Sequence, residues 1–95
     1  MKIYTLIHIK DPAFEQPVVE TTPFAEKSRA KKQMRDEYEQ EKTRQERSHA
    51  LLNDSDYQPF ITNQSAILNY YEDNGITQET WEIRGQKLIE ETAEP

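Results

Sequence analysis

Residues Ser65 to Ile83 read SAILNYYEDNGITQETWEI, and the way this stretch folds back on itself decides the architecture. Asn74-Gly75 separates two runs rich in β-branched and aromatic residues, which is the signature of a hairpin. A type I′ turn needs φ > 0 at both central residues, and Asn and Gly tolerate that best. With Asn74 and Gly75 in those places, Asp73 stands opposite Ile76, Tyr71 opposite Gln78, Leu68 opposite Trp81 and Ala66 opposite Ile83. Side chains alternate between faces along a strand. One face then collects Ala66, Leu68, Tyr70, Trp81 and Ile83, and is expected to form the core. The other collects Ile67, Asn69, Tyr71, Gln78, Thr80 and Glu82.

Upstream, Lys2 to Ile9 (KIYTLIHI) alternates with apolar residues on both faces, as suits a central strand. Ile3, Thr5, Ile7 and Ile9 share one face, and Tyr4, Leu6 and His8 the other. Glu15 to Thr22 reads as a second, weaker strand, expected to pair with the first through a loop at Asp11-Pro12. Pro17 confines it to a sheet edge, because Pro donates no ladder hydrogen bond. Pro23 reads as its boundary. One long helix is expected over about Ala25 to His49, a stretch without Gly or Pro. Ala30, Met34 and Tyr38 stack on one stripe at helical spacing, which Lys27, Glu41, Gln45 and Leu52 extend in both directions. The second half of this helix is charged all round and is expected to project into solvent or against a partner. Leu51 to Gln64 mixes turn formers with Leu51, Leu52, Tyr57, Phe60 and Ile61, and reads as an irregular connection. Gly85 suggests a bulge or a close backbone approach. The assembled expectation is one α+β domain over 1–95, with a frayed tail over 89–95. Its order is ββαββ, a four-stranded, mainly antiparallel sheet with one long helix on one face.

Composition narrows the function classes. Ile, Leu, Val and Phe total 18 of 95 residues, near the limit below which chains stay disordered, and the five Tyr and one Trp favour folding. There is no Cys, so neither a disulfide framework nor a thiolate metal site is available. The absence of a signal-peptide pattern or a long apolar run leads to the expectation of a cytoplasmic protein with no membrane contact. Charge is distributed unevenly: residues 1–22 carry −1, 23–49 carry +2 and 50–95 carry −7. An acidic second half disfavours nucleic acid as a partner and favours a basic one.

Candidate catalytic chemistry is sparse. His8 and His49 have no second ligand at a metal-like spacing, and a His at a helix C-terminus is favoured by the dipole alone. With only Gly75 and Gly85, no Gly-rich phosphate loop exists. No catalytic residues, metal ligands or cofactors are assigned, and the chain is expected not to be an enzyme.

The expected function is therefore that of a small acidic binding module acting by protein–protein contact. A regulator, or an inhibitor of the phage or mobile-element type, would present carboxylates to a basic nucleic-acid-handling partner. The working surface is expected on the outward sheet face, at Tyr4, Leu6, Ile67, Asn69 and Tyr71, for a protein partner or a second copy. One alternative is nucleic-acid association through Lys27, Lys31 and Arg35 on the first half of the helix. Another is a homodimeric structural protein. Whether residues 50–64 cover the outward face is left to tertiary structure.

Overall fold

The computed structural model describes residues 2–87, and the tail expected over 89–95 lies outside the described residues. The elements are β1 (Lys2–Asp11), β2 (Val18–Phe24), α1 (Lys27–Arg47), β3 (Phe60–Ile61), β4 (Ser65–Glu72) and β5 (Gly75–Lys87). The fold is α+β, with one helix on one face of a five-stranded sheet ordered β2-β1-β5-β4-β3, every pairing antiparallel. The expected ββαββ order thus gains one short strand. β1 and β5 form the centre, paired without interruption from Lys2↔Lys87 to Asp11↔Gln78. The first two strands pair through the Asp11-Pro12 loop as expected, and β2 lies at the edge. Pro23, expected as a boundary, instead lies within β2 opposite Thr5. An edge strand tolerates the missing N–H.

The hairpin is present, but its turn sits one residue earlier than expected. Asp73 (φ 52°) and Asn74 (φ 65°) are the two central residues, and Glu72 pairs with Gly75. Ala66 therefore stands opposite Trp81, and Tyr71 opposite Ile76. The pairing slips by two residues, an even number, so every side chain keeps its expected face. The glycine is needed for space. A Cβ on Gly75 would lie 2.3 Å from the Ala13 Cβ in the β1–β2 loop, so that loop can close over the hairpin only where a side chain is missing. Gly85 makes no bulge, since the β1–β5 ladder runs straight past it, but it is a close approach: a Cβ there would lie 3.3 Å from the Tyr4 ring.

The stripe on α1 buries as its spacing requires. Ala30, Met34 and Tyr38 are buried against Leu6, Ala66, Leu68, Trp81 and Ile83 in one cluster. Burying a side chain of this size contributes about 1.5–3 kcal/mol. The second half of the helix does not project freely, because Gln45 is buried and Glu41 is partly so. Gln45 Nε2 donates to Glu41 across one turn. Lys32 and Asp36, one turn apart, pair at 2.8 Å on the exposed side.

The helix ends through backbone geometry. His49 takes φ 58°, its N–H bonds the Glu46 carbonyl, and the Ala50 N–H reaches back to the Gln45 carbonyl at 3.0 Å. This left-handed cap satisfies terminal carbonyls and turns the chain back to the sheet. The connection that follows is not irregular throughout. It adds to the free edge of β4 twice: at Leu51, bridged to Tyr70, and at β3, whose Phe60 and Ile61 pair with Ile67 and Ala66. Thr62 closes the β3–β4 turn, its Oγ1 accepting from the N–H groups of Gln64 and Ser65.

Two substitutions test this account by chemical denaturation. Gly75→Val should destabilise by about 1–3 kcal/mol, the usual cost of forcing atoms into filled space. His49→Gly should stabilise by about 0.5–1 kcal/mol, because relief of a left-handed non-glycine residue exceeds the added unfolded-state entropy.

Candidate functional site

The two sheet faces differ in what they expose. Register places Tyr4, Leu6 and His8 on the same side as Ile83 and Trp81, facing the helix. This corrects the expectation for two of the five partner-binding residues. Leu6 is 2% exposed and belongs to the core, and Tyr4 packs against it. Ile67, Asn69 and Tyr71 do lie together on the outward face of β4. Among them Tyr71 is exposed, Ile67 half-buried, and Asn69 buried, its side chain accepting a hydrogen bond from Gln78. On β1 the outward residues are Ile3, Thr5, Ile7 and Ile9, all half-buried with no helix over them. Both faces of this strand are partly apolar, so its alternation alone does not say which one meets the helix. The pairing Leu6↔Ile83 decides the matter, since directly paired residues share a face.

Residues 50–52 and 60–61 pair along the edge of β4, and Leu52, set beside Asn69 on the outward side, is buried with it. Phe60 and Tyr71 are each 59% exposed on that side. Ile7, Ile9, Phe60, Ile67 and Thr80 line a shallow depression of about 400 Å³ there. Charge on this face is slight: Asp11, and the Glu82 and Arg84 pair, bonded at 3.2 Å.

The helix side carries a second feature. His8 stacks flat on Trp81, ring centroids 4.6 Å apart and planes within 4°. Three carboxylates surround its edge: Glu79 Oε1 lies 3.4 Å from Nε2, while Glu20 and Glu37 lie 3.5 and 3.9 Å from Nδ1. Glu37 also accepts the Trp81 indole N–H at 3.0 Å. Burial pulls the His8 pKa down, but the adjacent Glu79 carboxylate, together with Glu37 and Glu20, outweighs this and holds it above 6.5. Glu79 itself is 4% exposed on the floor of the sheet, and its Oε2 has no hydrogen-bond partner. The Tyr70 hydroxyl is likewise buried and unpartnered. Burial, followed by the charges of Glu79, Glu41 and Glu72, pushes that phenol upward. Sequence reading passed over this group, although Glu79 sits two residues before Trp81 and so was legible as a carboxylate on the core-facing side.

Among the described residues no group of three His, Asp or Glu is arranged to hold a metal ion, and no helix is long and apolar enough to cross a membrane. Lys27 and Lys31 lie one turn apart beside the Thr62–Gln64 turn, and Arg35 is exposed a turn further on. The structure brings no aromatic residue into that group's lining. Compared with protein-family models, with curated proteins and with solved structures, the chain matches none of them.

Linkage gives the carboxylate-ringed histidine a pH signature. Its pKa is raised on folding, so its contribution to stability is fully present below 6.5 and is lost as pH rises through the folded-state value. The stability difference between the native chain and His8→Gln should be greatest just below pH 6.5 and shrink above it, as read by denaturant midpoints across the pH range.

Proposed function

We propose that this chain is a protein-interaction module whose working surface is the outward sheet face, and that the partner this face engages is a second copy. The observation that carries the reading is a sheet with its helix on one side only, the isoleucine rows of the other side left open. Ile3, Ile7, Ile9 and Ile67 stand half-buried with no second layer, ringed by exposed Val19, Phe60 and Tyr71. An antiparallel sheet facing water ordinarily presents polar residues there. A continuous apolar face with a polar rim is a mark of an interaction surface.

Charge favours a second copy. A chain with net charge −6 repels itself over most of its surface. The outward face is the exception, with one lone carboxylate and one internally paired ion pair. Two such faces meet as sheets do in a sandwich, about 10 Å apart, with β-branched side chains interleaved. The edges are poor alternatives. Pro23 interrupts the donors of β2, and β3 is two residues long. Both features discourage strand-to-strand addition. A face-to-face dimer would leave both helices and both carboxylate groups outward, available to a basic partner.

Sedimentation at increasing concentration tests the reading. The native chain should reversibly dimerise, and Tyr71→Asp with Phe60→Asp should weaken self-association by about tenfold or more, in line with replacing interface aromatics by charges. Both side chains are largely exposed, so the far-UV spectrum should not change. A native chain that stays monomeric at every concentration rules the dimer out.

A further inference from the structure

The geometry points to the His8–Glu79 pocket as a binding site for a guanidinium cation, either a free small molecule or the arginine side chain of a partner. The site lies on the helix side of the sheet and is independent of the outward face. Its volume is about 430 Å³, which accommodates such a group, and its walls come from β1, β2, α1 and β5 through His8, Glu20, Glu37, Glu41, Glu79 and Trp81.

Three observations converge. The first is charge. His8 carries one positive charge when protonated, and Arg44, which also lines the pocket, is engaged by Glu41. Glu20, Glu37 and Glu79 therefore leave the pocket negative in either state of the histidine. The second is an unmet acceptor. Glu79 lines the pocket from the sheet, is 4% exposed, and has a buried Oε2 with no partner. A buried carboxylate oxygen without a hydrogen bond is costly, and its natural complement is a charged donor. The third is preorganisation. The carboxylates are held apart by elements that cannot collapse: Glu37 is fixed by the Trp81 indole, Glu79 is fixed in the central strand, and His8 is fixed between them by its stack on Trp81. Separated acceptors suit a planar fork with five donors better than a point charge. The guanidinium is also the more weakly hydrated cation, which favours it where Glu79 admits so little water.

Titration with N-acetyl-arginine amide tests the site, read by calorimetry and by the emission of Trp81, the one tryptophan. Saturable binding is expected, accompanied by an emission change, because the indole is bonded to Glu37 at the pocket wall. Glu79→Gln and Glu37→Gln should each weaken it by about tenfold, the effect of losing a charge-assisted hydrogen bond. Glu82→Gln, on the opposite face, should leave it unchanged. Glu37 is partly exposed and its replacement keeps an acceptor for the indole, so this variant remains informative if Glu79→Gln fails to fold. Absence of saturation at millimolar probe, or binding by both pocket variants equal to that of the native chain, overturns the assignment. Equal affinity for N-acetyl-lysine amide overturns the choice of guanidinium. Displacement of the arginine probe by lower concentrations of Mg²⁺ or Ca²⁺ overturns it in favour of a metal.

Discussion

Trp81 joins the two layers of this protein. It sits on a central strand, stacks on His8 of the neighbouring strand, meets the edge of Tyr38 at 6.0 Å, and donates its N–H to Glu37. The last two partners lie on the helix, so one side chain fixes both the distance and the rotation of α1 over the sheet. A buried indole has to place its N–H, and here the only solution brings a carboxylate to the margin of the core. Glu37 then faces His8, and His8 faces Glu79. The charged group beside the core follows from the aromatic at its centre.

The helix is short of apolar residues, and the sheet compensates. One stripe of three residues covers the inner face, while the outer face keeps its isoleucines uncovered. With 18 Ile, Leu, Val and Phe residues in the whole chain, four isoleucines outside any second layer form a large share of the apolar material. Stability of the isolated fold therefore rests on few contacts. The proposed face-to-face dimer would supply a second layer, and the carboxylates on the far side would be untouched by it.

Much of the architecture was legible in local chemistry. The hairpin, the α1 stripe, the edge position of β2 and the central place of β1 all follow from turn residues, periodicity and proline. The two-residue slip of the hairpin was not legible, because Asp73-Asn74 and Asn74-Gly75 both satisfy the turn. In the folded chain Ala13, arriving from another loop, packs against Gly75, a contact that the local sequence does not carry. The short β3 was hidden for a similar reason: two residues carry no period, and Phe60 and Ile61 become a strand only because β4 offers a free edge. Of the residues expected on the working surface, Ile67, Asn69 and Tyr71 share a face, whereas Tyr4 and Leu6 turned inward.

The sequence by itself determined which of the longer segments are strand or helix and which side chains share a face within each of them, since those depend on periods of 2 and 3.6 residues within one run of chain. Tertiary structure decided which face of β1 meets the helix. That choice depends on pairing with β5, where Leu6 meets Ile83, 77 positions further along the chain. The same pairing sets His8 opposite Trp81, and so gathers carboxylates from β2, α1 and β5 around one imidazole. No local pattern encodes a contact made by four separate elements. The hairpin from Ser65 to Ile83 provides the frame, and the strand that closes against it decides what each face presents.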